Sequence, residues 1–494
     1  MTKFFDLAVI GGGINGCGIA ADAALRGLSV VLIEKDDIAS KTSSSSSKLI
    51  HGGLRYLEYY DFSLVKKALD ERQTLLSLAP HLIKPLPFVL PYLSSMRPMW
   101  LLRSGLFIYD NLSRRNKLPK SKLIKRQTSL PYFLPLQDHL NKGFLFYDCH
   151  TDDARLTLAN ALQAKQHGAL ICPYTELTQA TSKDGFWHLT LQNAQGESKL
   201  CQAKTLVNAT GPWVPSLNKL LNIDDHYPLS LIKGSHLVVP KLYEGNYAYL
   251  LQNIDKRIVF IIPYYQYSLI GTTDVPFTGD LDVVKISGEE RDYLLNLVNN
   301  YFKPILTPKD IVHSWSGVRP LLANQDHSPQ ALSRDYSYHY TALPAPAVTI
   351  YGGKITTYRQ LSREAVNQLK PIFPHLKPSI THKIPLPGAT FKELSFSDYI
   401  KYAHQKYQWL PDGMLTRLLN TYGTNIENFL GDCQYLNDLG QDFGFGLFQR
   451  EVDYLYTHEW AKQVEDILWR RTKLGFVFTE SFKERLANYL AIKN

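Results

Sequence analysis

Apolar and polar positions along the chain sort into three regimes. Near the amino terminus Leu7-Ala8-Val9-Ile10 is a short continuous apolar run, the pattern of a parallel strand covered on both faces. It feeds into Gly11-Gly12-Gly13-Ile14-Asn15-Gly16 and an alanine-rich stretch ending near Arg26-Gly27, which predicts a glycine turn and then a helix. A second apolar run, Leu28-Ser29-Val30-Val31-Leu32-Ile33, predicts the next strand. In the middle of the chain Trp187-His188-Leu189-Thr190-Leu191 and Arg257-Ile258-Val259-Phe260-Ile261-Ile262 read as strands of a mixed sheet that forms a substrate-binding layer. Lys204-Thr205-Leu206-Val207-Asn208-Ala209 predicts another strand, leaving through Thr210-Gly211-Pro212. Beyond Lys383-Ile384-Pro385-Leu386-Pro387-Gly388 the alternation gives way to helical spacing, as in Glu451-Val452-Asp453-Tyr454-Leu455-Tyr456-Thr457 running on to Trp460. The pattern predicts an α/β chain in which residues 1–388 carry two domains interleaved in sequence and residues 389–494 form a helical cap.

Composition narrows the class. With 494 residues, 45% apolar and 20% charged, the chain is long enough for a substantial core and is neither disordered nor of low complexity. Cys17, Cys149, Cys172, Cys201 and Cys433 are dispersed and odd in number, which argues against a disulfide framework or a zinc ribbon and for a reducing compartment; no metal site is expected. The first residues lack a charged leader followed by an apolar core, and no apolar run approaches the ~20 residues that span a bilayer. The net charge of +9 suits nucleic acid, anionic lipid or a phosphorylated substrate, and does not choose among them.

Motif chemistry takes the reading further. Gly11, Gly13 and Gly16 match G-x-G-x-x-G between strand and helix, with Glu34 eighteen residues beyond the last glycine. The glycines allow a tight turn, close approach of a pyrophosphate and packing of helix on strand, while Glu34 stands where a ribose hydroxyl is accepted. This predicts a dinucleotide, FAD or NAD. The segment from Thr42 to Tyr56 combines small hydroxyl side chains, paired glycines and cations, and suits packing against a flavin.

At these residues the chain resembles the FAD-dependent, membrane-associated glycerol-3-phosphate dehydrogenases of the glycine-oxidase-like flavoproteins. The resemblance rests on Ile10 to Gly16, Ser46-Ser47-Lys48-Leu49-Ile50-His51-Gly52-Gly53-Leu54-Arg55-Tyr56-Leu57, Val207-Asn208-Ala209-Thr210-Gly211-Pro212-Trp213, Leu231-Ile232-Lys233-Gly234-Ser235-His236, Gly271-Thr272-Thr273-Asp274, Ser316-Gly317-Val318-Arg319-Pro320, Gly352-Gly353-Lys354-Ile355-Thr356-Thr357-Tyr358-Arg359 and Glu459-Trp460, in that order. It implies a Rossmann-like FAD-binding domain, a mixed-sheet substrate domain laid over the flavin and a C-terminal helical domain. FAD is then expected on Gly11, Gly13, Asn15, Gly16, Glu34, Thr42, Ser43, Ser47, Lys48, Leu49, His51, Gly52, Gly53, Leu54, Ala209, Thr210, Gly211, Trp213, Gly317, Gly353, Lys354, Thr356 and Thr357. Arg55, Tyr56, His236, Arg319, Arg334 and Lys354 are expected on the substrate, the two later arginines as a phosphate clamp. His51 is the expected base for the hydroxyl proton, with Arg55, His236 and Lys354 orienting substrate and stabilising charge; His236 and Lys354 stay open as alternative bases.

Between Ser94 and Arg126 nine basic residues (Arg97, Arg103, Arg114, Arg115, Lys117, Lys120, Lys122, Lys125 and Arg126) face one acid, Asp110, around the bulky apolar stretch Met99-Trp100-Leu101-Leu102-Arg103-Ser104-Gly105-Leu106-Phe107-Ile108-Tyr109. A helix in the interface of an anionic membrane, or a core helix with a solvated basic connection, fits this stretch; no recognition module accompanies the charge, so nucleic acid is not expected. The resemblance implies oxidation of sn-glycerol 3-phosphate to dihydroxyacetone phosphate on the cytoplasmic face of the cell membrane, with electrons passing to a ubiquinone-type quinone. An oxygen-reducing oxidase and a catalytically silent nucleotide-binding scaffold are the alternatives, and a homodimer is compatible. Trp469-Arg470-Arg471-Thr472-Lys473-Leu474-Gly475 is read as a cationic surface toward a partner protomer or solvent.

Overall fold

The computed structural model describes residues 3–93, 97–255, 257–323 and 335–493. The strand β1 (Lys3–Ile10) alternates its side chains between two cores. Leu7 and Val9 meet the alanines of helix α1 (Ile14–Leu25), while Phe5, Ala8 and Ile10 meet Trp187, Leu189 and Leu206 on the opposite face. Both faces are covered, so the run is apolar throughout. β1 pairs in parallel with β2 (Val30–Ile33) and with the strand Ser198–Asn208, and Leu170–Cys172 and Ala347–Gly352 extend the parallel set on either side. Tyr336–Thr341 closes one edge antiparallel.

The strand Phe186–Asn193, which contains the run 187–191, pairs antiparallel with Ser198–Asn208 and with Thr175–Lys183, and so belongs to this first sheet. That corrects its placement in the substrate layer: alternation identifies a half-buried strand, and the sheet it joins depends on pairing that alternation does not encode. Ile258–Tyr264 does lie in the second sheet, a mixed one whose order runs Val275–Pro276, Leu229–Pro240, Tyr267–Gly271, Ile258–Tyr264, Ala248–Gln252, Ile83–Pro91, Lys142–Thr151, Leu49–Ile50, with His313–Leu322 also on Leu229–Pro240. The chain crosses between the sheets several times, which is why the two layers interleave in sequence.

Helix α2 (Phe62–Leu78) and helix α3 (Met99–Asn111) pack on the second sheet. On α3 Leu106 and Tyr109 are buried, whereas Trp100 and Phe107 are each 68% exposed. Helix α4 (Asp153–Gln166) presents Ala154, Leu158, Ala161 and Ala164 to α1, where small side chains let the two helices approach closely. From Ala389 to Leu490 one further core joins the helices Phe396–Lys406, Asp412–Tyr422, Gln449–His458 and Glu480–Lys493. No helix among the described residues is long and apolar enough to cross a membrane.

The segment 469–473 does not face solvent. Arg471 is 1% and Lys473 6% exposed, with Arg471 on Asp37 and Lys473 on Asp152. Its cations looked solvated because their acidic partners lie 434 and 321 residues away along the chain.

Candidate active site

The site forms where the parallel strands of the first sheet end. Gly11 N–H donates to Ile33 O at 2.8 Å, and Ala209 N–H donates to Ile10 O at 2.9 Å, so three strands stop together around the glycine turn. Gly11 holds φ at +110°, and a Cβ there would stand 2.7 Å from Ala209 O. At Gly16 a Cβ would fall 1.9 Å from Gly11 O, because the first turn of α1 lies directly on the end of β1. Ser43 Oγ accepts from Ile14 N–H at 2.9 Å, tying a second loop to the start of α1. Glu34 Oε2 accepts from Gly12 N–H at 2.6 Å, and its other oxygen accepts from Asp36 N–H at 2.9 Å. Burial pushes the Glu34 carboxyl upward while those two N–H groups oppose the shift.

A cavity of about 690 Å3 runs across these ends and on between the two sheets. Of the residues expected on cofactor or substrate, Gly11, Gly13, Asn15, Glu34, Thr42, Ser43, Ser47, Leu49, His51, Tyr56, Ala209, Thr210, Gly211, Trp213, His236, Gly317, Arg319, Gly353, Lys354 and Thr356 line it. Gly16, Lys48, Gly52, Gly53, Leu54, Arg55 and Thr357 do not line it. Gly16 packs helix on strand, and Thr357 is buried ahead of the helix Tyr358–Asn367. The Lys48 ammonium turns away to Asp153 (2.7 Å) and Ser44 O (3.0 Å). Gly52 N–H donates to the Tyr109 hydroxyl at 2.8 Å, Gly53 caps the turn Leu54–Tyr59, and Arg55 lies 3.7 Å from Asp274. Arg334 lies outside the described residues.

The donor set fits a flavin dinucleotide. At one end of the cavity stand Glu34, Lys35 and residues 175–178. The amino terminus of α1 lies midway, and the far end holds His51, Tyr56, His236 and residues 352–356. Near the middle the buried Asn15 Oδ1 lacks a hydrogen-bond partner among the described residues, although its Nδ2 donates to Gly352 O at 3.2 Å. An orphaned buried polar atom in a cavity wall calls for a ligand group. The positive amino-terminal end of α1 is suited to a pyrophosphate, which the side-chain-free glycine turn lets approach, and the Glu34 carboxylate to a ribose hydroxyl.

Residues 6–359 match the family model described as FAD dependent oxidoreductase, and residues 379–492 match the C-terminal domain of alpha-glycerophosphate oxidase. This chain belongs to the FAD dependent oxidoreductase family. Its cofactor is FAD. It is 48% identical to a glycerol-3-phosphate dehydrogenase of Pseudomonas aeruginosa over 494 residues, covering 99% of this chain and 96% of that one. A D-erythritol 1-phosphate dehydrogenase of Brucella abortus is 44% identical, over 96% of this chain and 95% of its own. Among solved structures, the glycerol-3-phosphate dehydrogenase of Bacillus halodurans complexed with FAD matches with a TM-score of 0.76 at 26% identity, over 99% and 94% of the two chains.

Within this flavoprotein fold the far end of the cavity is rich in cations. His236, 2% exposed, sets Nε2 2.9 Å from Ser47 Oγ and stacks its ring on Trp315 at 5.7 Å. Burial, and then the positive charges of Lys48 and Arg319, hold its pKa down to about 3, so it is neutral at physiological pH. The Lys354 ammonium lies 3.9 Å from the Tyr56 ring centroid. Arg319 Nη2 donates to Asp274 Oδ1 at 2.5 Å and to Thr273 O at 3.1 Å, and the other Asp274 oxygen faces Arg55. Asp274 thus stands between two arginines expected on the substrate, of which Arg319 belongs to the expected phosphate clamp.

Asp274 was not singled out as a site residue in the sequence; a carboxylate beside a phosphate clamp runs against charge logic until its two partners are seen. Also unassigned were Lys35 and Lys41, which share Asp282 at 3.0 and 2.9 Å and lie over the Trp213 ring. The spacing of the glycine fingerprint carries no signal for either group.

The glycine turn supplies a direct check. Gly16→Ala forces the turn off the backbone of β1, a strain of about 1–3 kcal/mol. FAD affinity, measured by titrating the stripped protein with FAD and following fluorescence quenching, is expected to fall roughly 5- to 150-fold. Wild-type affinity in this variant removes the third glycine from its packing role.

Proposed function

We propose that this flavoprotein oxidises sn-glycerol 3-phosphate to dihydroxyacetone phosphate and delivers the electrons to a quinone in the membrane. The observation that carries the reading is the presence of His51, Tyr56, His236, Lys354 and Arg319 together in the lining of the cofactor cavity, a set suited to a substrate that carries both a secondary alcohol and a phosphate. The names of the Pseudomonas aeruginosa and Bacillus halodurans relatives support it. FAD, held by the glycine turn, Glu34 and residues 209–213, would supply the acceptor for the hydride from C2. His51 takes the hydroxyl proton at the cavity wall, and its own backbone N–H donates to Thr356 Oγ1 at 3.3 Å. Lys354 supplies positive charge to the oxygen as it loses its proton. Arg319 binds phosphate oxygens, each charge-assisted bond contributing about 1.5–3 kcal/mol, and Arg55, across Asp274 from it, orients the substrate. Arg334 completes the clamp in the same proposal.

Anaerobic addition of substrate to the yellow protein tests the assignment. Glycerol 3-phosphate is expected to bleach the flavin, and glycerol is not. Bleaching by both alike removes the arginine clamp. D-Erythritol 1-phosphate belongs in the same series, because the Brucella abortus relative is named for a phosphorylated polyol one carbon longer. Arg319→Lys keeps the charge but loses the planar fork; KM for the phosphorylated substrate is expected to rise about tenfold with kcat nearly preserved. A fall in kcat at constant KM would move Arg319 from phosphate to the reacting centre.

The membrane part of the proposal rests on α3. Trp100, Leu101, Phe107 and Ile108 are exposed on it, Leu123 is exposed later in the same basic strip, and Leu130 and Leu134 are exposed just past its end. Aromatic and apolar side chains among lysines and arginines suit the interface of an anionic bilayer. Reoxidation of the bleached protein by a soluble quinone analogue faster than by oxygen supports the quinone reading, and the reverse order makes the protein an oxidase.

A further inference from the structure

Two loops wall the cofactor cavity on the side of its phosphates. The first follows β2, and its residues Glu34, Lys35, Ala39, Ser40 and Lys41 face the cavity; the second places Ser43, Ser45, Ser46 and Ser47 there. A buried carboxylate anchors each, Asp37 within the first loop and Asp153 of α4 behind the second. In the first, Asp37 is 1% exposed. It receives Arg471 as a fork, Nη1 to Oδ2 and Nη2 to Oδ1 both at 2.7 Å, and Arg470 Nε at 2.5 Å. Two residues on, Ala39 N–H donates to Gly12 O at 3.1 Å, carrying that anchor to the glycine turn. In the second, Ser46 gives its N–H and hydroxyl to Asp153 Oδ2 at 3.1 and 2.7 Å, and Lys48 pairs with Oδ1 of the same carboxylate. The neighbouring Asp152 caps α4 through Arg155 N–H and receives Lys473 Nζ at 3.0 Å.

Arg470, Arg471 and Lys473 all come from one short stretch of the C-terminal helical unit. Arg471 also donates to Glu459 O at 2.7 Å, and Arg470 and Tyr174 both bind Asp466, so the stretch is itself braced. Burial raises the Asp37 carboxyl, yet the facing guanidiniums outweigh it and hold the group below its ordinary value.

We infer that Arg470, Arg471 and Lys473 are positioning residues for the cofactor: the C-terminal unit holds both phosphate-side loops in their binding geometry, so FAD affinity depends on side chains that touch no part of FAD. A wall ordered in advance spares the ligand the cost of ordering it. By linkage, bound FAD tightens the docking of residues 470–473 by the same factor.

A buried ion pair elsewhere in the same interface separates this role from general bracing. The Arg155 side chain on α4 forks onto Glu459, joining the same two units without touching either loop, although the Glu459 carboxylate also lies 3.8 Å from Arg471 Nε. The test uses full-length protein stripped of FAD and titrated with it, followed by fluorescence quenching, with thermal midpoints recorded alongside. Asp37→Asn and Lys473→Met are expected to weaken FAD binding at least tenfold, whereas Arg155→Met lowers the thermal midpoint with FAD affinity within about threefold of wild type. Arg471→Lys keeps the charge and loses the fork, so it serves if the others fail to fold; its FAD dissociation rate is expected to rise severalfold. FAD is also expected to slow proteolysis of the 374–388 connection in wild type and to leave it unchanged in Lys473→Met. Unchanged FAD affinity in Asp37→Asn and Lys473→Met, an unchanged dissociation rate in Arg471→Lys, or an equal loss of affinity in Arg155→Met, overturns the inference.

Discussion

His51→Gln is expected to slow anaerobic reduction of the bound flavin by glycerol 3-phosphate roughly 10²- to 10⁴-fold, the usual worth of a positioned general base, while apparent affinity for the phosphate end changes little. The size follows from what is lost. Glutamine keeps bulk and hydrogen-bonding capacity but cannot take a proton, so about 3–5 kcal/mol of transition-state stabilisation disappears. The structure supports His51 over His236 as the base. His236 is neutral, but a pKa near 3 makes it a poor proton acceptor, and its Nε2 is engaged with Ser47. His51 lies at the cavity wall, partly exposed, with its ring edge-on to Phe260 at 6.1 Å. Stopped-flow reduction rates decide the matter: an unchanged rate in His51→Gln passes the role to Lys354, whose methionine variant then carries the loss. His236→Asn is expected to act through Ser47 and loop geometry, with a modest effect on KM and rate together.

What could be read from the sequence was local. The glycine turn, the strand before it and Glu34 lie within 34 residues, and their spacing is set by one β-α-β unit, so chemistry and position come together. The resemblance assembled the far end of the cavity from strings scattered between His51 and Lys354, and the fold brings most of those residues to one wall. Errors arose where a side chain's partner lies far along the chain. The resemblance places Lys48 on the cofactor, and its ammonium is bonded to Asp153, 105 residues away along the chain. The run 187–191 looked like part of the substrate layer and pairs into the nucleotide sheet. Arg470, Arg471 and Lys473 looked like a solvated helix end because Asp37 and Asp152 carry no local mark of their role. Charge on a sequence is ordinarily surface charge, and only tertiary pairing shows which cations are buried.

Acid is expected to destabilise the protein well above the pH at which carboxylates ordinarily titrate. His81 and His236 are each 2% exposed and each hold a pKa near 3. Burial is the main cause at both, followed by Arg155 and Lys84 around His81, and by Lys48 and Arg319 around His236. Each ring Nδ1 lacks a hydrogen-bond partner among the described residues, and the His81 ring meets Phe391 and Phe396 edge-on, so neither surrounding favours a charged imidazole. In the unfolded chain both titrate near 6.5. Above that value neither state binds the proton and stability is independent of these groups. Below it the unfolded state takes up two protons that the native state refuses, and stability falls by up to about 3 kcal/mol per pH unit until the native pKa is reached. Two pH units then cost about 5 kcal/mol, comparable with the whole stability of many domains. The buried carboxyls of Asp22, Glu34 and Glu71, raised chiefly by burial, act in the opposite sense and blunt the slope as the pH nears their own range. Urea unfolding midpoints of the FAD-loaded protein between pH 7.5 and 5 measure the effect, and His81→Phe is expected to remove about one proton from the slope. A midpoint that stays level down to pH 5 means that the native state admits charge at one of these rings, and the packing against Phe391 and Phe396 is the first place to look for it.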